Sequence, residues 1–287
     1  MNNSQLLLTA GSGKTSTRIA ELLTAQSYIV RKAMRSPRSG QQAIPEVEFD
    51  WYRPETFAAA VEGMNTIYLV APIMDMHPEK VMIPFIEQAL AAGTQRLVML
   101  SSASIEADGP VFGTVQQYIM QHAPEWAILR PSYFMQNFTE AAHGYAIRAG
   151  AGITTATGDG KLGFVDAEDI ARVAVHALTD EQPHNTDHII TGPESLSYGE
   201  AADIISHLSG LDVQHHHVGE EQLYDLLLTA GMQPDYARFF AGLDTRIRTE
   251  GIEDQVTDTV LRITGQAPRS LEAFIRDNLH WYAPVTS

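Results

Sequence analysis

The stretch Leu8-Thr9-Ala10-Gly11-Ser12-Gly13-Lys14-Thr15-Ser16 combines closely spaced glycines with a lysine and several hydroxyls, the composition of a loop that holds phosphate. Gly13-Lys14-Thr15 matches the end of a triphosphate P-loop, but that motif needs an earlier glycine where Leu8 stands. Leu8 belongs to an apolar run, so the loop is too short to wrap a triphosphate. A short glycine turn from strand to helix instead aims backbone N–H groups and a helix N-terminus at a pyrophosphate. The fingerprint is imperfect: Ala10 stands where a glycine is usual, and Ser16 takes the place of the third small residue.

The adenosine ribose of a dinucleotide is tested at the end of the second strand, where Asp or Glu accepts from the 2′-hydroxyl. The corresponding residues are Ala33-Met34-Arg35-Ser36-Pro37-Arg38, with no acid among them. Two arginines and a hydroxyl suit a 2′-phosphate, which favours NADP(H) over NAD(H). This basic run stands out in a chain with 35 acidic and 19 basic residues, a formal charge of −16.

The elements around these residues alternate. Apolar runs at 6–9, 28–30, 66–70, 96–100 and 126–129 read as strands, and helical patterns at 15–23, 54–63, 78–93 and 113–122 separate them. Gly93 is placed as a C′ glycine. Continuous apolar runs between helices predict parallel strands covered on both faces, hence a doubly wound α/β fold. After Pro131 glycines crowd 144–163, predicting a loop-rich segment. A helix follows at 165–177, with Asp166 and Asp169 suited to its positive N-terminal end. From Tyr198 the pattern is mostly helical, with a strand at 213–218. The expected division is a cofactor domain at 1–130 with 164–180 packing back on it. A smaller, mostly helical substrate cap comprises 131–163 and 181–287.

The length of 287 residues allows a substantial core, and the absence of cysteine excludes disulfides, thiolate metal sites and a cysteine nucleophile. The acidic balance argues against nucleic acid or an anionic membrane as the main partner. The first residues lack a basic leader and no run approaches a membrane span, so a cytoplasmic protein is expected. A monomer and a homodimer are both compatible with the sequence.

Residues spread over nearly the whole chain carry a resemblance. They include Thr9 to Thr15, Arg35-Ser36-Pro37, Phe49-Asp50-Trp51, Val70-Ala71-Pro72, Ser101-Ser102-Ala103, Arg130 to Phe138, Phe164 to Ala171 and Thr191-Gly192-Pro193. The sequence resembles the NmrA-like branch of the atypical short-chain dehydrogenase/reductases, within it the clavine-alkaloid reductases of festuclavine synthase and agroclavine dehydrogenase type. The resemblance implies a Rossmann-type sheet and bound NADPH/NADP. It implies that Gly11, Ser12, Gly13, Lys14 and Thr15 hold the pyrophosphate, Arg35 and Ser36 the 2′-phosphate, and Asp50 and Trp51 the adenine edge. Ala71 and Pro72 would lie along the nicotinamide ribose. Ser101, Ser102, Pro131 and Phe134 would flank the nicotinamide, with Tyr133 as a candidate proton donor.

The sequence also departs from the wider superfamily, whose Tyr-x-x-x-Lys pair moves a proton. The only such spacing is Tyr28 to Lys32, in the second strand. Tyr118 stands in the expected helix but is followed by His122, and Gln116 takes the place of the branch's Lys or His. Hydride transfer to an iminium ion needs no proton donor, whereas a quinone or polarised alkene does. The expected function is therefore an NADPH-dependent reductase of a small organic acceptor. The alternative is a non-catalytic NADP(H)-binding redox sensor. His215-His216-His217 invites a metal reading, but alternation along a strand lets only two of the rings converge.

Overall fold

The computed structural model describes residues 5–38, 40 and 42–283. Its contacts divide the chain into two compact units.

The first unit runs to Arg130 and includes Ile170–Ile189. Its strands are β1 (Gln5–Leu8), β2 (Ile29–Met34), β3 (Glu46–Glu48), β4 (Thr66–Val70), β5 (Arg96–Leu100) and β6 (Glu125–Pro131), and the sheet takes in Thr186–Ile190 as a seventh strand in the order β3-β2-β1-β4-β5-β6 and then that strand. Every pairing from β3 to β6 is parallel. The apolar runs end up inside: Leu6, Leu7, Leu8, Ile67, Leu97 and Ile128 are all fully buried. Helix α1 (Lys14–Ala25) presents Ile19, Ala20 and Leu23 to the core at helical spacing. A 3-10 turn at Pro54–Thr56 leads into α2 (Phe57–Val61), followed by α3 (Glu79–Ala91) and α4 (Gly113–His122). Gly93 sits just past α3 with φ +101°, the left-handed backbone that a C′ residue needs.

This strand order reverses between β1 and β4, and the crevice outside their carboxyl ends is where such sheets bind ligands. Two of the strands are not expected from the sequence. β3 has only one apolar residue, and Thr186–Ile190 lies at the sheet edge with its first two residues exposed, so neither shows a continuous apolar run. The edge strand also moves the returning segment to 170–189, against the expected 164–180.

The second unit comprises Pro131–Asp169 and the chain from Ile190 onward. It opens with a 3-10 turn at Met135–Phe138 and α5 (Ala142–Arg148), then β7 (Ile153–Thr155) and β8 (Lys161–Leu162). The expected loop-rich stretch therefore starts as a helix. Gly144 is needed there because a Cβ would meet the Thr139 carbonyl oxygen at 2.0 Å. The chain returns to the first unit through α6 (Ala167–Thr179), and the seventh strand of the large sheet is β9 (Thr186–Ile190). Beyond it, β10 (Leu196–Ser197) pairs antiparallel with β8, and β11 (His215–His217) pairs parallel with β7. Helices α7 (Tyr198–Ser209), α8 (Glu220–Thr229), α9 (Pro234–Glu250), α10 (Thr259–Thr264) and α11 (Leu271–Asp277) complete the unit. α7 starts on a capping box between Ser197 and Glu200 and ends at left-handed Gly210. The core of the unit gathers Phe138, Phe164, Tyr198, Ile247 and Phe274. No helix among the described residues is long and apolar enough to cross a membrane.

Candidate functional site

The turn after β1 is built by its own backbone. Thr9 donates its hydroxyl to the Tyr68 carbonyl and accepts from the Val70 N–H at 2.8 Å, tying the end of β1 to β4. Ala10 takes φ +49°, the left-handed conformation for which glycine is the usual residue. Gly11 donates its N–H to the Ala33 carbonyl, and a Cβ on it would sit 2.8 Å from Lys32 Cβ and Met34 Sδ. The buried Ser16 donates to the Thr9 carbonyl at 2.8 Å, drawing helix to strand as the third small residue of a dinucleotide fingerprint does.

Helix α1 starts at Gly13 with no side-chain cap and no acidic residue in its first turn. The first N–H groups of such a helix have no partner inside it and carry the positive end of the helix dipole. They form an anion site of the kind a pyrophosphate fills.

This turn opens into a cleft of about 440 Å³. The cleft brings together Gly11, Ser12, Gly13, Arg35, Asp50, Trp51, Ala71 and Pro72, eight of the residues expected at a cofactor. Lys14, Thr15 and Ser36 lie beside it in sequence without lining it. Thr15 is buried and accepts from the Tyr68 hydroxyl at 3.0 Å. Trp51 is 8% exposed, donates Nε1–H to the Val70 carbonyl, and stacks edge-on against Phe49 and Phe85. Asp50 accepts from the Tyr52 N–H, so its carboxylate shapes the turn that presents the indole.

Tyr52 and Ile73 complete the rim, and neither is expected there from the sequence. Tyr52 donates its hydroxyl to Asp75 at 2.8 Å; burial and that carboxylate push the phenol up to about 12. The signal lies in neither residue alone but in their meeting across the loops.

The basic run resolves into three different roles. Arg31 donates to the carbonyls of Ala59, Ala60 and Glu62. Arg38 is held by Glu46 through Nε at 3.1 Å and Nη2 at 2.7 Å, so the second arginine expected at a 2′-phosphate is already engaged. Arg35 is exposed on the cleft and has no hydrogen-bond or ion-pair partner among the described residues.

Ser101 and Ser102 follow β5. Ser101 accepts from the buried Gln116 Nε2 at 2.9 Å, which ties the end of β5 to α4. Tyr118 donates to Glu87. Arg130 clamps the loop: its guanidinium donates to the Ala103 carbonyl at 2.9 Å and pairs with Glu106 and Asp187, each at 2.7 Å.

Pro131, Tyr133 and Phe134 belong to the second unit, where Phe134 bridges to Val165. Ser132 donates to Glu253 at 2.6 Å. The Tyr133 hydroxyl is buried without a hydrogen-bond partner among the described residues; burial first, then the Asp244 charge, raises its pKa well above the ordinary phenol value. Asp166 accepts from Gln136, the Glu168 N–H and Arg269, and Asp169 accepts from the Arg269 N–H, so both carboxylates hold the start of α6. His215 bonds to the Thr155 hydroxyl and His217 accepts from the Gly158 N–H.

The cleft and its uncapped helix agree with comparisons against known proteins. The sequence model of a family described as NAD(P)H-binding matches residues 10–181. A Bacillus subtilis protein named as an uncharacterized oxidoreductase, YesF, is 45% identical over 275 residues, covering 96% of this chain and 95% of its own. Festuclavine synthase II of Penicillium roqueforti is 35% identical, covering 97% and 99%. The fold is also that of the NADPH-dependent quinone oxidoreductase of Escherichia coli solved with NADPH, at 17% identity and a TM-score of 0.81 over 95% of this chain and 99% of that one. With its family signature spanning the β1 turn and its oxidoreductase relatives aligned end to end, the chain belongs to the NAD(P)H-binding family and is an NAD(P)H-dependent oxidoreductase.

Proposed function

We propose that the protein is an NADPH-dependent reductase of a small organic acceptor, with the cofactor in the β1 cleft and acceptor choice assigned to the second unit. The observation that carries this reading is Arg35, an exposed guanidinium on the cleft without a partner among the described residues, at the strand end where an NAD-specific site has an acid. NADPH held there would supply a hydride. The uncapped N-terminus of α1 holds the pyrophosphate charge, Gly11 and Gly13 let backbone approach it, and the Phe49–Trp51 wall positions the adenine.

Where the resemblance implies a Lys or His, the chain has Gln116, an amide that cannot supply a proton, tied to Ser101. An iminium acceptor fits that arrangement, because hydride addition to its carbon gives a neutral amine and requires no acid. The Penicillium relative, a synthase, and the Bacillus relative, an oxidoreductase, support turnover over a purely sensing role.

Fluorescence titration with NADPH and NADH tests the reading. A charge-assisted bond to the 2′-phosphate contributes about 1.5–3 kcal/mol, so the wild type should prefer NADPH by about ten- to a hundredfold. Arg35→Ala should remove that preference and leave NADH binding little changed. Equal weakening of both cofactors would show that Arg35 does not meet the 2′-phosphate.

A further inference from the structure

The second unit carries a groove of its own, about 560 Å³ in volume. It is lined by the loop that joins β7 to β8 and by the last turn of α9. Two glycines let these segments approach. A Cβ on Gly158 would stand 2.8 Å from Arg248 Cδ, and one on Gly160 would stand 2.8 Å from the Ile247 carbonyl oxygen. Gly158 also takes φ +54°, the left-handed backbone that glycine adopts without penalty. The aliphatic stem of Arg248 therefore lies on bare backbone, which restricts where its guanidinium can point.

That guanidinium is unengaged. The other arginines of α9 are paired, Arg238 with Glu221 and Arg246 with Glu250, whereas Arg248 has no hydrogen-bond or ion-pair partner among the described residues. His217, also in the groove lining, reaches the same glycine: its Nδ1 accepts from the Gly158 N–H at 3.1 Å. A backbone amide only donates, so Nδ1 holds the lone pair and Nε2 carries the ring proton as a donor. Lys161 lines the groove too, but Glu200 holds its ammonium at 3.4 Å. Two carboxylates supply the acceptors. Asp254 takes the Ser195 hydroxyl on Oδ1 at 2.7 Å, and Asp159 has no hydrogen-bond or ion-pair partner among the described residues.

An unpaired guanidinium and an unpaired carboxylate thus share one groove without meeting each other. A ligand that satisfies both must accept at one place and donate at another, and the small group that does both is a hydroxyl. The planar fork of Arg248 adds a match for a carboxylate through two parallel N–H···O bonds. The charges of the lining balance, Lys161 and Arg248 against Asp159 and Asp254, so a singly charged carboxylate is accommodated better than a doubly charged phosphate. We propose that the groove binds a small polyhydroxylated carboxylate. Its acid group sits on Arg248 and the His217 Nε2–H, and its hydroxyls donate to Asp159 and Asp254. Every group involved belongs to the second unit, so this binding is independent of the cofactor reading.

Calorimetric titration of the full chain at neutral pH and constant ionic strength tests this with probes of one chain length. Gluconate has both the acid and the hydroxyls, sorbitol the hydroxyls alone, and hexanoate the acid alone. Gluconate is expected to bind with a Kd below about 10 mM and at least about tenfold more tightly than either of the others. Arg248→Ala should bring gluconate to within about twofold of sorbitol, and Arg248→Lys, which keeps the charge but not the fork, should restore part of the difference. Asp159→Asn should cut the lead of gluconate over hexanoate by at least about threefold. No gluconate binding up to about 10 mM, binding no tighter than that of sorbitol or hexanoate, an Arg248→Ala variant that binds gluconate as the wild type does, or an unchanged lead in Asp159→Asn would each overturn the proposal.

Discussion

Replacing Asp244 by asparagine should make the protein more stable at neutral and alkaline pH. Burial raises the carboxyl from an ordinary 3.8 to about 6, opposed only by the Ala156 N–H. The folded state thus holds a proton more tightly than the unfolded chain, and stability from this group falls as pH rises through the interval between the two values. Above that interval the full cost is present. The two values differ by about two pH units, and at about 1.4 kcal/mol per unit the charged form costs about 3 kcal/mol at pH 8. Asparagine keeps an oxygen for the Ala156 N–H and carries no charge. Urea unfolding of wild type and D244N should therefore differ by about 3 kcal/mol at pH 8 in favour of the variant, and by only about 0.6 kcal/mol at pH 4. At this chain length such a gap corresponds to about 5 °C in Tm. A gap of equal size at both pH values, or a wild type more stable at pH 8, would refute the argument that an uncompensated buried charge is what the site stores.

The first unit yields two further expectations. Ala10→Gly should raise the urea midpoint by about 1 kcal/mol of stability, because the left-handed φ of +49° penalises a Cβ there; an unchanged or lowered midpoint would show that the turn carries no strain. Arg130→Ala should lower stability by about 1–3 kcal/mol, mainly through the orphaned carbonyls of Ser102 and Ala103, since Glu106 and Asp187 are exposed enough to be solvated; a variant as stable as wild type in thermal melts would show the clamp to be dispensable.

Local order is legible in the chain alone. A buried apolar run, a glycine turn and an amphipathic helix occupy adjacent positions, so residues 5–25 announce a strand–turn–helix phosphate cradle, and repetition of that rhythm announces a doubly wound sheet. Arg35 could be placed because the second strand of such a sheet ends at the adenosine ribose, whereas Trp51 is reached only through the family resemblance. Whatever depends on partners distant in sequence is settled only by packing. Arg31, Arg35 and Arg38 look alike in the chain, but Glu46 engages Arg38 and backbone carbonyls engage Arg31, leaving Arg35 on the cleft. Asp244 shows a trace in sequence as a charge among the apolar positions of α9, yet that it ends up buried, accepting from the Ala156 N–H of a segment 88 residues away, is decided only by folding. Periodicity reports which face of an element is buried, whereas the charge balance inside a unit is set by which side chains are left without a partner once all the elements have packed.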